Sequence, residues 1–475
     1  MTIQFNQIPT GIKKPGVYAE YDSAGAMTGL AGNAQKVLLI GYEAPNGLAL
    51  AAPNVPVQVS SVAQARSILG TSQLYFMVKA ALAANPLADV WVLPIAEPTG
   101  GVLASATIAP PSKGPALSGT ATLWIGGQPL RFSVTQNETP QAVMQSIVAD
   151  KSASAGLEVQ LSAPDAQNNV AMASWNKGAH GNQIALRFDD GGTGLALTVP
   201  ATLTGGTGVP DLTTALANIF PAKFDKIVCG FNDASTLAAL KTHLSNAASW
   251  SEQRGQIGVA GFAGTISDAT VLAATLNSER MVLACLENTN STPWAIGAAF
   301  AAEIASETDP ARPLQTLPLV GIVPPLPADR YTRTEEETLL AGGCTPLEVG
   351  PGETVQIVRA VTTYTLNAAG SPDPAYLDLT TIMTLDYLRD AWRQRMRLRF
   401  PRNKLNDRTV ESVRDETLAL LRLLEDAEIL EHVEGNKAQV LVQRNVTDVN
   451  RLDVQIPADV VNGLVVLAAQ IDLIL

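Results

Sequence analysis

The sequence predicts a multidomain α/β and α+β protein. It reads as a non-contiguous α/β domain interrupted by an inserted β-rich domain, then a C-terminal α+β domain, with extended arms at both ends. Three observations predict this. Continuously apolar runs of strand length alternate with helix-patterned segments between residues 36 and 95 and again between 211 and 305, as in a parallel sheet covered on both faces. Between them the alternation gives way to Pro, Gly, Ser and Thr and to a two-residue apolar period. The length of 475 residues gives a prior of about three domains, each large enough for its own core.

Residues 1–30 carry turn formers (Pro9, Gly11, Pro15, Gly16) around the extended piece VYAEY, which predicts an arm with one strand. The α/β domain is assigned to 31–98 and 205–308. KVLLIGY and DVWVLPI supply its first buried strands, and SSVAQARSIL and SQLYFMVKAALAAN its first helices, each led by a serine suited to an N-cap. After residue 205, DLTTALANIF, STLAALKTHLSNAASW, SDATVLAATLN and WAIGAAFAAEIAS read as helices, and DKIVCGF, GQIGVAGFAG and MVLACLE as strands.

The inserted domain spans 99–204. TATLWIGGQPLRFSV forms two alternating runs about a Gly126-Gly127 turn, TPQAVMQSIVAD a short helix, and LEVQLSAP and NQIALRF further strands. NNVAMASWNKGAHGN and DDGGTG read as long polar loops suited to an outward-facing position. The C-terminal domain, 309–475, begins proline-rich, starts a helix at TRTEEETLLAGG and reaches a strand at ETVQIVRAVTTYTLN. A long helix follows, LDLTTIMTLDYLRDAWRQRMRLRF, in which Leu388, Trp392, Met396 and Phe400 recur every fourth residue as one apolar stripe. Pro401 ends it, RTVESVRDETLALLRLLEDAEI forms the next helix, and three strand-like pieces close the chain, the last being GLVVLAAQIDLIL.

Composition bounds the function. Hydrophobic residues make up 46% and charged residues 16%, which excludes disorder and leaves much uncharged surface for contacts. The net charge of -12 disfavours nucleic acid, whose phosphates require a Lys/Arg surplus. The opening MTIQFNQIPTG lacks the features of a signal peptide, and no stretch reaches the roughly 18 apolar residues of a membrane span, so the expectation is assembly in the cytoplasm without membrane insertion. Cys229, Cys285 and Cys344 are widely spaced and read as reduced, two of them buried.

No catalytic, cofactor-binding or metal-binding constellation emerges. GYEAPNG follows a strand but lacks the glycine and lysine positions of a phosphate loop. GGTGVPDL is a better phosphate mimic, but Asp211 would occupy the helix-start amides itself. Cys344 in AGGCTPLE has no neighbouring base, and His180, His243 and His432 are isolated. Glu335, Glu336 and Glu337 diverge around a helix and read as a solvated first turn. One feature opposes the acidic whole: residues 386–408 carry eight basic and three acidic side chains, a local charge of +5. Arg389, Arg393 and Arg397 share a helix face there, turned to nucleic acid, an acidic protein surface or solvent; without interleaved aromatics, the acidic protein surface is favoured, with solvent beside it.

FNQIPTGIKKPGVYAEYDSAGA (5–26), GGTGVPDL (205–212) and TLDYLRDAWRQRMRLRFPRNKL (384–405) together resemble the tail sheath proteins of Mu-like contractile phages. The similarity runs along the chain in order and is weakest in the inserted domain; Lys13-Lys14 departs from the arginine expected there. The resemblance implies a non-enzymatic subunit of a contractile tail, without cofactor, polymerised as stacked six-fold rings around a tail tube. Its implied partners are other copies of itself, the tube protein, and baseplate and tail terminator proteins, in a virion tail assembled in the host cytoplasm. The C-terminal domain would be the inner sheath core. Val17, Tyr18, Ala19, Glu20 and Tyr21, and Gln470, Ile471, Asp472, Leu473, Ile474 and Leu475, would be strands exchanged between subunits, and Arg389, Arg393 and Arg397 would face the tube. The sheath of a phage-derived, tailocin-like injection particle is an alternative, and a cytoplasmic nucleotide-binding α/β enzyme a more distant one.

Overall fold

A computed structural model describes residues 35–45, 51–150 and 156–473. The described residues form two compact units, one of residues 35–383 and 462–473, the other of residues 384–461.

The larger unit begins with β1 (Lys36–Tyr42), in which every residue after Lys36 is buried. Val37 and Leu39 enter one apolar core, Leu38 and Ile40 another on the opposite face, so the run is apolar throughout because both faces are covered. β2 (Val57–Val59), α1 (Val62–Leu69), α2 (Gln73–Ala84) and β3 (Asp89–Ile95) follow. The serines at both helix starts cap as expected: Ser61 accepts from Gln64 N and Ser72 from Tyr75 N.

Next come β4 (Leu103–Ile108), β5 (Gly119–Ile125), β6 (Gln128–Val134), α3 (Pro140–Ile147), β7 (Val159–Leu161), β8 (Val170–Lys177) and β9 (Leu186–Asp189). They make two three-stranded antiparallel sheets, β4-β8-β7 and β6-β5-β9. Gly126 and Gly127, both at positive φ, turn the β5–β6 hairpin. One expectation is corrected here: NNVAMASWNKGAHGN is no long loop, since its centre is β8.

Alternation then resumes with α4 (Thr213–Ile219), β10 (Lys226–Cys229), α5 (Ala234–Ala248), β11 (Ile257–Phe262), α6 (Ile266–Leu276), β12 (Met281–Cys285) and α7 (Pro293–Ile304). After α8 (Arg333–Ala341), β13 (Thr345–Gly350) and β14 (Thr354–Ile357) complete one sheet in the order β14-β13-β12-β11-β10-β1-β3-β2. β1 pairs in parallel with β3 on one side and β10 on the other. Strands from before and after residues 99–204 are thus neighbours. ETVQIVRAVTTYTLN is a strand only over Thr354–Ile357, where it pairs antiparallel with β13. All three cysteines are buried, one more than expected.

α7 is apolar on nearly every side and buried. It passes so close to β11 that a Cβ on Gly261 would lie 1.9 Å from Pro293 O, so two glycines, Gly261 and Gly297, permit the contact. At its start the Thr292 hydroxyl donates to Glu158 Oε1, joining α7 to the segment before β7. Burial pushes the Glu158 carboxyl up to about 8, against the pull of Thr292 and Lys79.

The smaller unit contains most of α9 (Leu379–Arg399), then α10 (Asp407–Asp426), α11 (Val433–Asn436) and a two-stranded antiparallel sheet of β15 (Leu441–Arg444) and β16 (Leu452–Gln455). The front of the apolar stripe serves its core: Leu388 is buried with Leu418, Leu421 and Leu424, and Trp392 packs on that cluster while its Nε1 donates to Thr417 Oγ1. Glu416 of α10 accepts from Nε of both Arg395 and Arg399. Arg389 and Arg393 pair with Asp386 and Asp390 one turn back. Arg397, Arg402, Lys404 and Arg408 are exposed and make no ion pair among the described residues.

Two stability measurements follow. The unfolded chain releases the Glu158 proton in the usual carboxylate range near 4.5, whereas the folded chain holds it to about 8. Stability is therefore full below that range and is lost as pH climbs to about 8, by an amount on the order of 5 kcal/mol. Glu158→Gln, which keeps a partner for Thr292, flattens this slope in urea unfolding between pH 5 and pH 8.5; a slope equal to that of the parent chain refutes the assignment. Second, Arg395→Ala lowers unfolding free energy by about 1–3 kcal/mol because it removes a part-buried charged hydrogen bond, whereas Arg397→Ala stays within about 0.5 kcal/mol.

A candidate interaction surface

In a doubly wound sheet a ligand sits at the carboxyl ends of the strands where the winding reverses, here between β1 and β10. That position is filled by the chain itself. Gln73 at the start of α2 accepts from Tyr42 N at 3.1 Å and donates through Nε2 to Gly230 O at 2.7 Å, and its own N–H donates to Asn176 Oδ1. Tyr42 packs against His180 and Phe231, with ring centroids 4.9 and 4.6 Å away. Burial lowers His180 to about 3 and raises Cys229 to about 12, so both are neutral and poorly suited to acid–base or nucleophilic work.

The other candidate chemistry is equally structural. Asp211 Oδ1 accepts from Thr213 N at the start of α4. Thr332 and Glu335 form a reciprocal capping box at α8, which accounts for the acidic run there. Cys344 and Cys285 are buried near one another, and burial raises the Cys285 thiol further. Sequence reading missed one cluster: ligand atoms of Glu431, His432 and Asp459 lie within 4.8 Å of each other on the surface. His432 and Asp459 are brought together by the Leu430–Val460 bridge, a pairing no local spacing announces. Asp459, 3.0 Å from Nδ1, raises the His432 pKa, so the pair is an ion pair when the ring is protonated.

What stands out is unpartnered apolar backbone. After Val461, whose N–H donates to Ile429 O, the chain runs to Leu473 without strand pairing among the described residues. Gln315 Nε2 donates to Leu464 O, and beyond that point Val466, Leu467, Ile471 and Leu473 are 78–94% exposed. Gln470 and Asp472 are exposed and hydrogen-bond to each other. Thus Gln470–Leu473 are unpaired in the isolated chain, while Ile474, Leu475 and Val17–Tyr21 lie outside the described residues. In the smaller unit, β15 and β16 pair only with each other among the described residues, and Leu441, Val446 and Val449 of the hairpin are exposed. Such open edges are avoided in monomers because they pair readily with another chain.

Comparison with known proteins places these features. Residues 205–363 match the model of the phage tail sheath protein central domain, and residues 371–474 that of the phage tail sheath C-terminal domain. The chain is 32% identical over 504 aligned positions to the Mu-like prophage FluMu tail sheath protein of Haemophilus influenzae, covering all of both chains. Its fold is similar to the crystal structure of a sheath tail protein from Desulfitobacterium hafniense (TM-score 0.53, 14% identity, 94% of this chain and 97% of that one). It is also similar to the sheath of an extracellular contractile injection system in the contracted state (TM-score 0.50, 10% identity, 98% of each chain). A mixed α/β body with several sheets, a ligand crevice plugged by its own side chains and unpaired apolar segments at the surface belong together here: the chain is a member of the phage tail sheath family, a structural family and not an enzyme family.

Proposed function

We propose that this chain polymerises with copies of itself as stacked six-fold rings around a tail tube and drives the tube forward by contracting, in a phage tail or a phage-derived injection particle. The observation that carries this reading is the exposed, unpaired apolar segment from Leu464 to Leu473 together with the open-edged β15–β16 hairpin. A strand of one copy laid on the hairpin edge of another gains backbone hydrogen bonds without needing a deep pocket. About ten such bonds at roughly 0.5–1.5 kcal/mol net each make a tether that outlasts the weaker lateral contacts a contracting lattice must break and reform. Contraction is then a switch between two packings of one polymer, with nothing hydrolysed.

In this reading residues 1–30 are an arm whose Val17–Tyr21 is exchanged with a neighbour, 31–98 with 205–308 and the insertion 99–204 form the outer bulk, and 309–475 is the inner domain ending in the exchanged strand Gln470–Leu475. Arg389, Arg393 and Arg397 face an acidic tube. Arg397, with Arg402, Lys404 and Arg408, supplies the charge that finds no acid in its own chain among the described residues. The remaining partners are baseplate and tail terminator proteins, and the particle is assembled in the host cytoplasm. The likeness to an injection-system sheath supports the mechanism in either kind of particle.

Removal of the residues from Val466 onward leaves a folded subunit that does not polymerise, seen as monomers in place of striated cylinders by negative-stain electron microscopy; sheaths of normal length refute the tether. Reversal of Arg389, Arg393 and Arg397 to Glu preserves tube-free polysheath but abolishes co-sedimentation with tubes. Tube binding that survives the reversal removes these residues from the tube interface.

A further inference from the structure

A cavity of about 440 Å³ opens at the carboxyl ends of β10, β11 and β12, between the inserted β segment and the large sheet. Its position is separate from the plugged crevice between β1 and β10. Asn182, Gln183 and Thr202 form one wall; Asn232, Phe262 and the Asn288–Pro293 turn form the other. The walls are fixed by their own bonds. Asn182 uses both ends of its amide on Gly206, and Gln183 Nε2 donates to Asn232 Oδ1 across the seam at 2.7 Å.

Three features point to a ligand. Asn290 lines the cavity and is only 7% exposed, yet its Nδ2 has no hydrogen-bond partner among the described residues, which is costly for a buried amide unless something else accepts from it. α7 begins at the cavity wall without a side-chain cap, and the Thr292 hydroxyl at its start donates to Glu158. Gly264 lines the cavity where a Cβ would stand 2.9 Å from the Phe262 ring, so the glycine leaves that ring bare on this side.

The lining selects among ligand classes. No Lys, Arg or His contributes to it and Asp329 stands at its mouth, a setting that repels phosphate and carboxylate. A purely apolar molecule would leave the buried Asn290 amide unpaired. An aromatic ring for a C–H face, the Asn290 amide as a donor, and one carboxylate for a pair of hydroxyls suit a molecule that is apolar on its faces and hydroxylated around its rim. The volume lies within the range of small-ligand sites. We propose that this cavity binds a neutral pyranose sugar.

The test is saturation-transfer NMR and calorimetry on the full-length, unpolymerised subunit with D-glucose, D-galactose, D-mannose and N-acetylglucosamine, and with inorganic phosphate as the anionic probe. At least one sugar binds saturably with a dissociation constant on the order of millimolar, and phosphate does not. Asn290→Ala weakens that binding roughly fivefold, the loss of one neutral hydrogen bond. Asp329→Ala, at an exposed position that leaves the fold intact, weakens it by about tenfold, as for a bond to a charged group. Absence of saturable binding to all four sugars overturns the proposal. So does binding that both variants retain at full strength, and so does phosphate binding more tightly than any sugar.

Discussion

The larger unit depends on the buried amide of Gln73. It stands at the first residue of α2 and ties the end of β1 to the end of β10 through its side chain, while its backbone N–H is held by Asn176 of β8. Asn176 in turn donates to Glu43 O and to Glu97. One group of polar side chains therefore closes the reversal point of the sheet and anchors the inserted strands to it. A buried amide that loses such partners costs about 1–3 kcal/mol for each stranded group, so the arrangement is kept as a whole or lost as a whole. It also takes the place a nucleotide would need, which makes the α/β fold here a scaffold.

Around that closure the apolar packing is continuous. The core face that holds Val37, Leu39 and the buried side of α2 also holds Leu123, Ile125, Met172 and Leu186 from the inserted strands, together with Trp294 and Phe300 of α7. Interiors packed at this density resist continuous deformation and move as bodies. The smaller unit has a different balance. Its core is one cluster between α9 and α10, reinforced by Trp392 to Thr417 and by the two arginines on Glu416, and its hairpin edges are unpaired among the described residues.

Exposure at the C-terminal end follows the same logic. Leu467, Ile471 and Leu473 are as apolar as core residues and nearly fully exposed. Single exposed apolar residues are ordinary, but a run of them on unpaired backbone is not. The segment falls within the residues that match the phage tail sheath C-terminal domain.

Sequence alone determined the elements whose environment is uniform. KVLLIGY and MVLACLE were legible because a strand buried on both faces must be apolar throughout, and the helix starts because Ser61, Ser72 and Thr332 are the residues that satisfy free amides. The basic island and its apolar stripe were legible for the same reason, since spacing on one helix is a local property. β8 was not, because Ser174 and Asn176 occupy two of its four inward positions and spoil the apolar alternation, for ends that lie in β4, α2 and the loop after β1. Only the tertiary structure decided which arginines are spent on Glu416, that Glu158 is sealed against α7, and that a polar cavity forms beside β11. Each of these depends on residues tens to hundreds of positions apart meeting at one point, and burial and charge pairing take their values from that meeting.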